Sequence, residues 1–340
     1  MTKRVRSILT KAQPIPSRGS RQDGFTLVEF MVAVGLLGVL MLGIGSSFGF
    51  QQETYVVVDQ VAEAKQNVRV VADLLERELR NSGYMVPNTG SACGVDDDDG
   101  PDALYVSDYS RIVAMSVLPP ALLTRPLGAT VVGAPAAGVA AGSQTLTVDT
   151  MDLDGTGGTD FAVGAGLILA DRNGASTSVA CGTVTAVNVV GGGGTVQVDL
   201  ENATGALPDG AELVAVPAIV YEVVGASLRR NGVVIVDQVE DLQIAWFFDL
   251  DGDQLVDPGE YIADGQGVAD AYEPTTLDSS LLREVRINVV IRTRDEDPNE
   301  TWQGGIGQVT ENRDPDSVAP MDGARRRVHS ATVRLRNNLT

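Results

Sequence analysis

From Phe25 to Phe50 the chain reads FTLVEFMVAVGLLGVLMLGIGSSFGF, and after a single charge at Glu29 the 21 residues from Phe30 to Phe50 carry none. At ~1.5 Å of rise per residue that run is ~32 Å long, close to the ~30 Å hydrocarbon core of a bilayer, and it predicts a membrane-crossing helix over about 25–50. Beyond Phe50 the pattern turns amphipathic without a break. Val57, Val61, Ala64, Val68, Val71, Leu75 and Leu79 recur at steps of three and four, with charges between them. No proline interrupts Phe25 to Asn81, and Asn81-Ser82-Gly83 is a stop signal, so one long helix over 25–82 is predicted.

The remainder is patterned for strands. A short acidic run, Asp96 to Asp99 before Gly100, precedes a strand-like piece at Ala103 to Val106. From about Thr130 to Val216 the chain is low in charge and rich in Gly, Ala, Val and Thr. Strands are predicted there at Thr145 to Asp149, Gly166 to Ala170, Thr177 to Val187, Thr195 to Leu200 and Glu212 to Val216. Turn signals at Arg172-Asn173-Gly174, Gly191 to Gly194 and Pro208-Asp209-Gly210 separate them. Together with the acidic loop, this predicts a small all-β module inserted over 83–216. Gly191 to Gly194 lacks the lysine and helix start of a phosphate loop and reads as a turn.

From Ile219 onward polar and apolar residues alternate. Val220 to Val224 and Ser227 to Arg230 precede an Asn231-Gly232 turn, followed by Val233 to Val236, Leu242 to Phe248, Glu284 to Arg292 and Arg327 to Arg336. The expected fold is α+β: the amphipathic half of the helix packed on an antiparallel sheet over 217–340.

Charge changes the picture at the N-terminus. Of 25 basic residues, six (Lys3, Arg4, Arg6, Lys11, Arg18, Arg21) fall within the first 24, against Asp23 alone. The remaining chain holds 44 acids and 19 bases, a net charge of -25 that repels phosphate backbones and suits divalent cations better than nucleic acid. The flank after the apolar run offers Glu53, Asp59 and Glu63 before Lys65, so the positive-inside rule keeps the N-terminus cytoplasmic and exports the rest.

An ordinary secretory signal is cut after an apolar core of about 7 to 15 residues. Here the run is longer, and its conspicuous boundary, Asp23-Gly24-Phe25-Thr26-Leu27-Val28-Glu29, lies before it. That boundary resembles the type III signal of type IV prepilins. The resemblance implies a leader over 1–24, cut after Gly24 by a membrane peptidase that methylates Phe25 and leaves the apolar helix on the mature protein. It also implies that Glu29 neutralises the free amine of a neighbouring subunit during assembly. An ionisable group at membrane depth costs a few kcal/mol and usually marks a partner or a function. The reading set against it is a plain signal anchor with a glutamate near the interface.

Val239-Glu240-Asp241-Leu242-Gln243-Ile244, the later strand Arg286 to Arg292 and the ending Arg325 to Asn337 are similar to the PilW family of minor pilins. This resemblance takes in roughly the first 80 and last 120 residues and leaves the inserted module outside. It implies a subunit that joins or primes a type IV pilus (fimbrium), with other pilins, the prepilin peptidase and methyltransferase, and an inner-membrane assembly platform as partners. The head would be periplasmic first and at the cell surface after assembly.

Two cysteines, Cys93 and Cys181, are too few for a CxxC zinc or redox site; an exported protein would bridge them, and two unpaired buried thiols is the other reading. Asp249, Asp251, Asp253, Asp257 and Glu260 stand at positions 1, 3, 5, 9 and 12 of a twelve-residue loop, the spacing of an EF-hand. Gln254 replaces the usual glycine at position 6, and a strand precedes the loop where a helix would. Calcium binding and a solvated acidic turn both stay open, and no cofactor is required. Asp152-Leu153-Asp154-Gly155 is a weaker acidic group.

Four functions are weighed. A structural minor pilin leads. A type II secretion minor pseudopilin of the GspJ kind shares the helix signal. An adhesin or binding module on the inserted β part is compatible with the first. An anchored periplasmic hydrolase needs a nucleophile with its base or a histidine metal site, and the sole histidine, His329, stands in an arginine-rich strand, so no enzyme is expected.

Overall fold

The computed structural model describes residues 24–95, 100–108, 128–172, 179–204, 206–207, 209, 211–257, 261–262, 279–297, 302–303 and 321–335. The expected leader (apart from Gly24), the acidic run 96–99, Glu260, and Arg336 and Asn337 lie outside these residues. Two compact units are present, Met1–Val56 and Val57–Thr340, and one helix, α1 (Leu27–Asn81), belongs to both.

In the first unit every described side chain is exposed. In the second, α1 buries Ala64, Val68, Val71, Leu75 and Leu79 of the expected stripe together with Ala72, Gln60 and Glu78, while Val57 and Val61 are only half-buried. Leu75 and Leu79 are fully buried, and each contributes ~1.5–3 kcal/mol by leaving water. The helix stops where Ser82 N–H and Oγ both bond back to the Leu79 carbonyl, at 3.2 and 2.7 Å, and Gly83 turns left-handed at φ 74°.

The larger sheet uses β1 (Ala92–Val95), β2 (Ala103–Ser107), β3 (Ala129–Thr130), β4 (Gly142–Val148), β5 (Gly166–Asp171), β6 (Ala180–Val190), β7 (Gly193–Leu200), β8 (Leu213–Val224), β9 (Ser227–Arg230) and β10 (Val233–Asp237). All its pairs are antiparallel, in the order β1-β2-β8-β5-β6-β7-β4; β3 and β9 also pair β8, and β10 pairs β9. The second sheet, β12-β11-β13-β16, consists of β11 (Val239–Phe248), β12 (Tyr261–Ile262), β13 (Leu282–Arg292) and β16 (Arg326–Arg334). A small ribbon pairs β14 (Trp302–Gln303) with β15 (Met321–Asp322).

One core joins α1 to alternate residues of the second sheet, Leu242, Ile244, Trp246 and Phe248 of β11 and Val285, Ile287, Val289 and Ile291 of β13, and to consecutive residues of the larger one, Leu104 to Val106 of β2 and Ala218 to Tyr221 of β8. A second core lies within the inserted stretch, built on Leu146, Val148, Val184, Val196 and Val198. Strands β5 and β8 serve both. Ile168 and Ala170 face the first core and Leu167 and Leu169 the second; likewise Val214 and Val216 face the first and Leu213 and Ala215 the second.

This corrects two expectations. The pieces Glu212 to Val216 and Val220 to Val224 are one strand, β8, so a boundary at 216/217 falls inside it. Pro217 is tolerated there because its carbonyl, and with it the missing N–H, points to the β2–β3 side, where β3 pairs residues 214–215 and β2 pairs 218–221. The lost donor sits in the gap between two short strands.

Candidate functional site

The helix begins in an exposed, chemically specific way. Gly24, Phe25 and Thr26 precede α1; Phe25 is 90% exposed, and nothing lies within 4 Å of where a side chain on Gly24 would start. Thr26 is the N-cap. Its Oγ1 accepts the Glu29 N–H at 3.2 Å, while Glu29 Oε2 accepts the Thr26 N–H and hydroxyl, both at 3.0 Å. This is a capping box, in which two helix-end donors are satisfied reciprocally. Its signature, Thr-x-x-Glu ahead of an apolar run, stands in the sequence at Thr26 to Glu29 and was not read there. The apolar half that follows presents Leu27, Phe30, Met31, Leu36, Leu40 and Phe48 to the outside.

Cys93 of β1 and Cys181 of β6 are joined by a disulfide with their Cα atoms 6.1 Å apart, both side chains fully buried. The bridge closes a curl, since β1 and β6 are separated in the ladder by β2, β8 and β5. The neighbouring Gly94 has no room for a Cβ, which would fall on the Trp246 ring.

Three of the five residues proposed for the acidic loop come together: Asp249, Asp251 and Asp253 place one carboxylate oxygen each within 4.8 Å of one another. Asp257 is not in that group. Gln254 adopts φ 68°, so the left-handed turn that glycine usually provides in such a loop is present with another residue. Asp249 accepts from Gly252 N–H at 2.7 Å, Gln254 N–H at 3.0 Å and Arg283 Nε at 3.1 Å. Burial works against its charge, but these donors outweigh it and hold the carboxyl below its ordinary value. A guanidinium on the first would-be ligand opposes a divalent cation. Asp152 and Asp154 form a second such group with Asp160, eight residues after Asp152, which the sequence reading did not include.

His329 Nε2 lies 3.8 Å from Glu76 Oε1 of the helix, across from Val289. Arg326 of β16 is clamped between Glu240 (2.7 and 3.0 Å) and Asp322 (2.7 and 2.8 Å), a buried fork that ties β16 to β11 and β15.

With this geometry in place, the comparisons with known proteins decide the family. The prokaryotic N-terminal methylation motif matches residues 19–45, and type IV pilus-assembly protein W matches residues 205–337. The chain is a PilW-like type IV pilin. Its role is that of a minor pilin in pilus assembly.

The first match brackets the pilin's capping box and most of its apolar half-helix; the second starts at residue 205 and so takes in the whole of β8 as well as the second sheet. Between them lies most of the second core. A type IV-like pilin, TTHA1219 from Thermus thermophilus, overlays 81% of this chain and 97% of its own at 13% identity and a TM-score of 0.29, too low to bear on the fold. No curated protein matches the chain. Among the described residues one helix, α1, is long and apolar enough to cross a membrane, and the methylation motif at its start marks it as the anchor of a globular head.

Proposed function

We propose that the pilin is made as a prepilin, cut between Gly24 and Phe25, methylated on Phe25, and held in the inner membrane by α1 with its N-terminus cytoplasmic and its head periplasmic until it enters the pilus. The carrying observation is the exposed Gly24-Phe25 bond directly before the Thr26–Glu29 capping box, at the head of an uncharged half-helix. A peptidase needs an open, extended segment. The box, starting one residue after Phe25, supplies a fixed helix end beyond it.

Glu29 is suited to the assembly role. Its Oε2 accepts the two local bonds, which leaves Oε1 to meet the methylated amine of a neighbouring subunit in a low-dielectric setting where an unpaired charge is costly. Other pilins, the peptidase and an inner-membrane platform are the partners of this reading, and its activity is assembly with no catalytic step.

Intact mass of the pilin extracted from native membranes tests it. The expected species begins at methylated Phe25 and disappears in the Gly24→Arg variant. An unprocessed chain, or a cut after Phe50, would overturn the proposal.

A further inference from the structure

The second core carries a feature that pilus assembly does not use. Strand β4 ends the larger sheet, and on its inner side it is paired with β7 along its whole length, from Gly142 opposite Leu200 to Val148 opposite Gly194. On its outer side, backbone partners occur among the described residues only at its end. Val132 N–H donates to the Thr147 carbonyl at 2.8 Å, and Asp149 N–H donates to the Thr130 carbonyl at 3.0 Å.

In an antiparallel strand the N–H and C=O of one residue point to the same side, and successive residues alternate sides. Since Thr147 and Asp149 bond outward, Ser143 and Thr145 must also point outward, and their two N–H and two C=O groups have no backbone partner among the described residues. The strand, Gly-Ser-Gln-Thr-Leu-Thr-Val, holds none of the prolines, lysines or other charges that natural edges use to refuse a partner.

Beside this edge runs a groove of about 180 Å³, walled on the far side by residues 131–135 and 138–140 and floored by buried Val139 and Leu146. None of its lining residues is charged, in a protein whose mature chain carries a net charge of -25. The outward N–H and C=O groups of Ser143 and Thr145 call for an extended backbone, since those of a helix are already bonded within it.

We propose that this groove is a docking site for a single extended, uncharged peptide segment of another protein, which adds a strand to β4 by bonding to Ser143 and Thr145. Backbone pairing supplies the affinity, and the neutral lining selects against acidic and basic side chains, which would lose their water without gaining a partner. The site stands independently of the pilin assignment and gives the inserted module a binding role of its own.

The test uses the full-length pilin in detergent micelles, with amide exchange resolved at single residues and a capped Thr-Val-Thr-Val-Thr peptide at roughly millimolar concentration as the probe. In the free protein, Ser143 and Thr145 amides should exchange at least about tenfold faster than Gln144 and Leu146, which bond to β7. The peptide should slow the first pair about tenfold or more, and its Thr-Glu-Thr-Glu-Thr analogue should not. Ala140→Trp, at an exposed wall position away from the core, should abolish the protection without lowering the melting temperature. Protection of Ser143 and Thr145 already in the free protein would mean that the chain fills its own groove, and would overturn the proposal. So would an unprotected edge at saturating peptide, equal binding of the acidic analogue, or unchanged binding by the Ala140→Trp variant.

Discussion

Replacing both Cys93 and Cys181 by alanine should cost the head about 4 to 5 kcal/mol. The bond closes a loop of 88 residues, and the loop-closure entropy it removes from the unfolded chain gives that figure at 25 °C. Local structure makes the loss easy to see. Among the described residues β1 pairs laterally with β2 alone, through four residue pairs, and without the bridge its other ties are the core packing of Ala92 and of Gly94 against Trp246. Trp246 is 1% exposed and lies next to the bridge, which makes its fluorescence a local reporter as the full-length protein is unfolded in urea. With a domain stability of about 5–15 kcal/mol and a slope of about 1–3 kcal/mol per molar or steeper, the midpoint should fall by roughly 1–2 M or more. A shift below about 0.3 M, or two alkylatable thiols in pilin taken from native membranes, would refute the idea that the closed curl is what the cell makes.

Thr26→Ala removes one half of the capping box and should weaken the helix start by about 1 kcal/mol, raising the exchange rate of the Glu29 amide about fivefold in the extracted pilin; an unchanged rate would show that the box is not formed there. The Asp249 carboxyl is held below its ordinary value, so its contribution is present above the unfolded value of about 3.9 and is lost as pH falls through the lower, folded one. Asp249→Asn should therefore flatten the fall in melting temperature below about pH 4, and an unchanged acid slope would sink the assignment; in the chelator-treated parent, calcium should raise the melting temperature only if Asp249 can leave Arg283 and close on the ion with Asp251 and Asp253.

What the sequence disclosed and what it hid follow from how many faces an element buries. The helix was legible because its two halves have different neighbours: uncharged all round to Phe50, then a stripe with charges between, and the structure buries that stripe from Ala64 to Leu79. In the second sheet the first half of β13 was legible for the same reason, since core residues Val285 and Ile287 alternate with half-buried Glu284 and Arg286. Strand β8 is different. From Leu213 to Tyr221 all nine residues are buried: as far as Val216 one side faces the helix core and the other the second core, and from Ala218 to Tyr221 both sides belong to the helix core. A strand buried on both faces has no alternation to read, and a proline at 217 then looks like an end.

The same physics places the domain division that composition suggested. The Gly, Ala, Val and Thr of the inserted stretch read as a separate module because charge is scarce there, yet charge is scarce because β5 and β8 are shared walls and not because the module stands alone. A module that shares two strands with the pilin head cannot turn or unfold independently of it, so a force or a ligand acting on β4 is transmitted through β7, β6 and β5 to the strand that packs on α1. For the site residues the limit was range. The capping box spans four residues and could have been found from Thr26 and Glu29 alone. The Arg283 contact that decides the character of the acidic turn spans 34 residues, and only the pairing of β11 with β13 brings it there.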